Sequence, residues 1–181
     1  METFPNIVAV PRPHYKFNNI PNPYWISGFI SGDSTFCVSI EKSSDNKVGH
    51  RVRLIFGTCL HIRDRDLLIG IANYFNILNN NLMASKYIYD SATTSLLQIK
   101  NNSDIINKII PFFDQYPILG IKSLDFADFK KVAELVKNKE HLTDSGFSEI
   151  IKIVQQMNLD RNNSTSSFQD SVNRKELEDK T

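Results

Sequence analysis

In "TFCVSIEK" (residues 35–42) and "HRVRLIFGTCL" (residues 50–60) apolar side chains fall on every second position. Phe36, Val38 and Ile40 line one face of the first stretch, and Val52, Leu54 and Phe56 line one face of the second. A period of two marks half-buried strands, and the polar "SSDNKVG" between them is a turn, so the two form a hairpin. The opposite face then shows Thr35, Cys37, Ser39 and Glu41 beside Arg51, Arg53 and Ile55. The spacing changes in "RDRDLLIGIANYFNI", where Leu67, Leu68, Ile71 and Phe75 follow a helical period. Two shorter strands are predicted in "SKYIYDS" and "TSLLQIK", joined by a turn near Ala92. Asn102 or Ser103 should cap the next helix, "DIINKIIPFFDQY", which Pro111 should kink or end. "SLDFADFKKVAELVKNK" and "FSEIIKIVQQMN" predict two further amphipathic helices.

Upstream, Asn22-Pro23 is a helix start, with an Asn cap and Pro at the first helical position. This first helix should run to about Gly32. Trp25, Ile26, Phe29 and Ile30 make an apolar stripe, and the other side carries Ser27, Gly28, Ser31 and Gly32. Small residues four apart let a second helix approach closely. Pairing two such helices brings two C-terminal carboxylates together, here through Asp33, at the ends where the helix dipoles are already negative. A divalent cation shared between Asp33 and a partner acid relieves that repulsion and suits phosphodiester hydrolysis. The predicted order is α-β-β-α-β-β-α-α, an α+β domain whose antiparallel sheet has helices on one face. Residues 1–21, with four of the seven prolines, read as an extended linker; 22–159 read as the domain and 160–181 as a polar tail.

Bulk properties change this picture little. The 181-residue chain carries 21 Lys and Arg against 20 Asp and Glu, so any nucleic-acid surface must come from clustering and not from net charge. No apolar run reaches the roughly 18–20 residues that span a bilayer, so no membrane partner is expected. Neither a secretory nor an Arg-rich presequence pattern is visible. Cys37 and Cys59 read as reduced thiols, and the four scattered histidines show no zinc-ligand spacing.

The stretch "ISGFISGDS" resembles the LAGLIDADG motif of homing endonucleases, with the last acid of the motif at Asp33. Ser31 stands where the motif has its first acid and Ser34 where it has its closing Gly. "YPILGIKSLDFADFKKVAEL" resembles the family segment before the long C-terminal helix, in which a lysine, here Lys122, lies near the active site. The resemblance spans about residues 22–157. It implies a saddle-shaped antiparallel sheet set in the major groove of a long duplex. It also implies Mg²⁺ held by Asp33 and the Gly32 backbone carbonyl, with Lys122 as a second catalytic group. Base readout is then expected from Arg51, Arg53, Gln98 and Lys100, with Ser39 and Lys86 as further candidates. An intron-encoded origin and a mitochondrial matrix location follow from the same resemblance.

One motif supplies one acid and half a DNA-binding surface, so a second LAGLIDADG domain is needed. Two copies forming a symmetric dimer would provide it. The favoured expectation is the C-terminal half of a two-repeat protein, because the Pro-containing lead resembles an inter-repeat linker. Two competing readings keep the fold without cleavage: a maturase acting on host intron RNA, and a relic that only binds DNA. Retention of Asp33 and Lys122 argues for the nuclease.

Overall fold

The computed structural model describes residues 17–78 and 84–157. Helix α1 (Pro23–Asp33) opens as its sequence demands: the Asn22 side chain accepts the Trp25 amide at 2.9 Å, and Pro23 needs no N–H at the first turn. Ser34 ends it by swinging into extended backbone, while its hydroxyl donates back to the Ile30 carbonyl at 2.6 Å. The chain then enters the hairpin of β1 (Thr35–Lys42) and β2 (His50–His61), paired antiparallel with Ser39 opposite Arg53 and Glu41 opposite Arg51. Gly49, at φ +71°, closes the turn in a conformation that other residues rarely adopt.

A short 3₁₀ turn leads into α2 (Arg65–Tyr74). After it come α3 (Ala84–Tyr87), β3 (Ile88–Asp90) and β4 (Thr94–Ile99). All neighbouring strands are antiparallel, in the order β1-β2-β4-β3. The following helical run passes through α4 (Asn102–Asp104), a π turn (Ile105–Ile109) and α5 (Ile110–Gln115). Then come α6 (Lys122–Lys137) and α7 (Asp144–Gln156). Helices α1, α2 and α6 pack on the sheet, and the expected α+β architecture with an antiparallel sheet is what the chain adopts.

Two local expectations are corrected and a third is narrowed. "SKYIYDS" begins as the helical turn α3, and only Ile88–Asp90 is strand, because Tyr87 turns into the core and its hydroxyl reaches Asp104 at 3.4 Å. Lys86 therefore leaves the strand face. Pro111 does not end its helix: the wider π turn before it absorbs the missing N–H and the crowding of the proline ring. Asn101, not Asn102 or Ser103, caps that helix, accepting the Ser103 amide at 2.8 Å.

The core sits between sheet and helices. Phe36 of β1 is its hub, with ring centroids 5.2 Å from Phe56 and Phe126, 5.4 Å from Phe129 and 5.9 Å from Phe113. Four elements therefore meet on one side chain. At the far edge Ser95 and Arg65 both donate to Asp90, and these bonds hold its carboxyl below the ordinary range. Most of the predicted linker and all of the predicted tail lie outside the described residues. The portion from Phe17 to Asn22 has no helix or strand, and the Phe17 ring fills a notch over Gly70 of α2, where a Cβ would come within 2.2 Å of it. Phe36→Ala should cost about 3–5 kcal/mol of unfolding free energy, read from the denaturant midpoint at constant slope.

Candidate active site

Asp33 is the last residue of α1 and is exposed; among the described residues its carboxylate makes no hydrogen bond or ion pair. The turn it ends contains no basic residue, so the negative end of the helix dipole is uncompensated from within. Two neighbours fix the backbone there. The Thr58 hydroxyl of β2 donates to the Asp33 carbonyl at 2.5 Å, and Ser34 closes on Ile30. No hydrogen bond is made to the Gly32 carbonyl among the described residues, which leaves that oxygen available beside the carboxylate. A cleft of about 170 Å³ opens at this point, lined by Gly32, Asp33, Ser34, Thr35, Gly57, Thr58, Cys59 and Leu96.

The cation arrives from a distant part of the chain. Ser27 donates to the Tyr116 carbonyl at 2.7 Å, and Ser31 accepts the Leu119 amide at 3.1 Å while donating to the Ser27 carbonyl at 2.6 Å. These two serines hold the Tyr116–Leu119 segment along α1. Gly120, at φ +71°, then turns the chain so that α6 starts at Lys122, whose ammonium donates to the Ser34 carbonyl. The positive charge thus stands one residue beyond Asp33, where the helix end needs it.

This arrangement divides the small-residue face. Gly28 and Gly32 are exposed, and a Cβ built on either meets nothing within 4 Å. Ser27 is not on the open side: it is 4% exposed and its hydroxyl is occupied within the chain, so it is removed from the proposed pairing face. Ser31 is half-buried with its hydroxyl similarly engaged. The apolar stripe also splits. Ile26 and Ile30 are fully buried, whereas Trp25 reaches solvent and stacks on Phe29 with centroids 5.4 Å apart. Tyr24 is 67% exposed and Leu119, beside Ser31, 73%. The open side of α1 is therefore two glycines rimmed by large apolar groups.

The uncovered sheet face is ordered by distance from Asp33. Thr35, Gly57 and Gln98 lie side by side in the first row, Cys37 and Ile55 in the next, then Ser39 with Arg53, and Glu41 with Arg51. On the other side Cys59, Leu96 and Tyr89 form one row. Positive charge is concentrated at the far end. Arg53 pairs with Glu41 at 3.3 Å and Arg51 with Asp45 at 3.6 Å. Lys100 follows β4 and stands 6.0 Å from the Tyr89 ring centroid. Lys86 is exposed on α3, 5.4 Å from the Tyr87 centroid. Burial pushes the Cys37 thiol up, which keeps it in the unreactive protonated form. Sequence reading missed Thr58 and the neighbouring pair of exposed Tyr89 and half-buried Leu96. Strand alternation signalled the last two; nothing local signals a hydroxyl bond spanning residues 33 and 58.

Among the described residues no three His, Cys, Asp or Glu side chains converge as metal ligands. What the chain offers a hard divalent ion is one free carboxylate and one free carbonyl, oxygen donors of the right type but half a coordination set. That fits a site shared with a partner. The family model described as LAGLIDADG endonuclease matches residues 26–133. The chain belongs to the LAGLIDADG endonuclease family. "Probable intron-encoded endonuclease 3" of Neurospora crassa is 36% identical over 148 residues, 81% of this chain and 26% of that protein. "Probable intron-encoded endonuclease 2" of the same organism is 33% identical over 162 residues, 84% of this chain and 33% of that protein. The LAGLIDADG meganuclease I-CpaMI bound to uncleaved DNA superposes with TM-score 0.79 at 45% identity, covering 87% of this chain and 52% of that one. I-SmaMI bound to an uncleaved DNA target in the presence of calcium ions gives 0.79 at 37%, covering 86% and 51%. This chain thus spans about half the length of these LAGLIDADG structures and a quarter to a third of the curated relatives.

Within the LAGLIDADG motif the two serine departures have physical reasons. Residue 34 has extended backbone, φ −138°, which needs no glycine, and its hydroxyl closes the helix. Residue 31 holds the Leu119 amide, a bond that a serine oxygen accepts. Ser31→Ala should speed hydrogen exchange at the Leu119 amide at least tenfold, with a loss of about 1 kcal/mol in global stability, measured by NMR exchange and chemical denaturation.

Proposed function

We propose that the chain is one half of a homing endonuclease that hydrolyses phosphodiester bonds of a long duplex target, working with a second LAGLIDADG domain. The observation that carries this reading is the free Asp33 carboxylate at the negative end of α1, with the Lys122 ammonium held on the Ser34 carbonyl one residue away. A protein that only binds DNA has no use for an unpaired acid facing phosphate. The domain architecture, and relatives solved on uncleaved and on cleaved DNA, support the same substrate.

Asp33 and the Gly32 carbonyl would hold a divalent cation, Mg²⁺ in this reading, together with the partner's acid. Bound, that ion supplies an activated water and neutralises charge on the scissile phosphate. Lys122 adds a fixed positive charge beside that phosphate, and its bond to Ser34 keeps it in place before substrate arrives. Thr58 and Ser34 hold the backbone under Asp33 rigid. On the uncovered face Gln98, Arg53 and Ser39 would read base edges, with Arg51, Lys100 and Lys86 contributing positive charge.

The partner is a second LAGLIDADG domain seated on Gly28 and Gly32, with Tyr24, Trp25 and Leu119 as the apolar rim of the interface. A relative named as a mitochondrial protein, RF1 of Saccharomyces cerevisiae, is 27% identical over 107 residues. With the intron-encoded names of other relatives, it supports a mitochondrial matrix location. No observation on the described residues favours a maturase role or a relic that only binds.

Asp33→Asn in the paired assembly should abolish metal-dependent cleavage of a bound duplex while leaving DNA affinity within about tenfold. Unchanged cleavage by this variant would remove Asp33 from the chemistry. Gly28→Val should leave the fold intact, since the added atoms enter open space, with thermal unfolding of the chain alone shifted by only a few degrees. The same variant should prevent pairing, read by sedimentation with the second domain present. Normal assembly would move the interface elsewhere on the molecule.

A further inference from the structure

Around Lys122 large apolar side chains are left uncovered. Leu119 is 73% exposed, Ile121 56% and Leu124 49%. They lie between the buried Ile118 and the buried Phe126, and among the described residues every side chain from Leu119 to Asp125 is exposed or half-buried. Lys122 stands in the middle of that stretch. The bonds that place it are polar: the Leu119 amide on Ser31, the Ser123 hydroxyl on the Gly120 carbonyl at 2.7 Å, and the Lys122 ammonium on the Ser34 carbonyl. The first two are exposed, and solvated bonds without buried apolar anchors beside them open at little cost.

The position and chemistry of this patch select its occupant. Ile121 and Leu124 are three residues apart at the opening turn of α6, where the Leu124 amide donates to the Ile121 carbonyl at 3.0 Å, so they share one side. Leu119 carries the patch to α1, since its amide sits on Ser31, next to Gly32 and three residues from Gly28. The apolar surface therefore continues from the glycine seat along the start of α6, and a contiguous surface of this kind marks a protein contact. A phosphate backbone asks for outward cations, and the one cation of the stretch, Lys122, is turned onto Ser34. This chain covers 52% of I-CpaMI, so that LAGLIDADG structure holds about as much chain again.

We propose that Leu119, Ile121 and Leu124 dock against the second LAGLIDADG domain and that this contact clamps Lys122, so that assembly completes the catalytic machinery of this half. The inference rests on the pairing proposed above and deepens it: the partner brings an acid, and it also fixes this chain's own cation. Ile121 and Leu124 are then positioning residues for Lys122. Burying leucine-sized side chains here outweighs the exposed bonds they would shield.

The test mixes the full chain with the half of I-CpaMI that it does not cover, or with a second copy of itself, and reads pairing by sedimentation. On pairing without DNA, backbone hydrogen exchange at residues 119–124 should slow about tenfold or more. Pairing without that protection overturns the inference and leaves the proposed function standing. Protection that arrives only with added duplex would give the patch to DNA and overturn it too. If neither partner pairs, the proposed function fails and the inference with it. Ile121→Ser/Leu124→Ser should unfold at the same temperature as the parent chain. At saturating partner, on a duplex selected for binding by the assembly, it should cleave about tenfold more slowly, with DNA affinity within about threefold. Ile121→Val/Leu124→Met should restore the rate. Lys122→Met should slow cleavage about a hundredfold. Adding Ile121→Ser/Leu124→Ser to it should cost less than about twofold more, because the pair acts through the lysine. A further tenfold loss on the Lys122→Met background, or no loss in the parent, would refute the clamp. An assembly that pairs but cuts nothing would sink the nuclease reading, and the exchange measurement then decides the docking surface alone.

Discussion

Two serine hydroxyls one helical turn apart on α1 organise this molecule. Ser27 and Ser31 tie the Tyr116–Leu119 segment along the first helix, and that tie brings the start of α6, with Lys122, to the end of α1. Without it the negative end of α1 and its terminal carboxylate would face solvent with no cation from the same chain nearby. The Ser27 bond is 2.7 Å long and part-buried, and the Ser31 bond is 3.1 Å long and exposed. Each contributes modestly to stability, but their geometric consequence is large, because a lysine side chain reaches only a few ångströms.

The same helix must do two things on two sides. Toward the body it presents Ile26, Ile30 and the serines, and its packing there is complete. Away from the body it presents Gly28 and Gly32, where nothing in the chain comes near. Glycine in a helix interior costs about 0.5–1 kcal/mol relative to alanine, a cost that makes little sense on a merely solvated surface. Bare glycines with Tyr24, Trp25 and Leu119 around them make sense as a seat for another helix, which is how the proposed assembly completes its metal site.

The uncovered sheet face carries a gradient of its own. Next to Asp33 the rows are uncharged, Thr35 with Gly57 and Gln98, then Cys37 with Ile55, and charge appears only farther out. Crowding arginines around the acid would pair it off and close the cleft. Placing them at the outer end keeps Asp33 free and sets the arginines of the open face away from it. The core beneath, centred on Phe36, links β1 to β2, α5 and α6. Sheet face and Lys122 helix are thereby parts of one rigid unit.

Much of this was legible in the chain as written. Alternation assigned Phe36, Val52 and Leu54 to the core and Arg51 and Arg53 to the open face, because a strand's period is geometric and one buried face leaves a single register. Asn22-Pro23 announced the first helix, since capping is local chemistry, and the motif around Asp33 pointed to the acid. What only the tertiary structure decided involves contacts between distant residues. Ser27 and Gly28 look equivalent in a helical projection, yet one is sealed by Tyr116 and the other is open, and no local rule says which side the later segment will cover. Lys86 looked like a strand residue because short apolar runs do not reveal where a strand begins. The hydroxyl of Thr58 and the ammonium of Lys122 acquire meaning only from what folding sets beside them, 25 and 88 residues away along the chain.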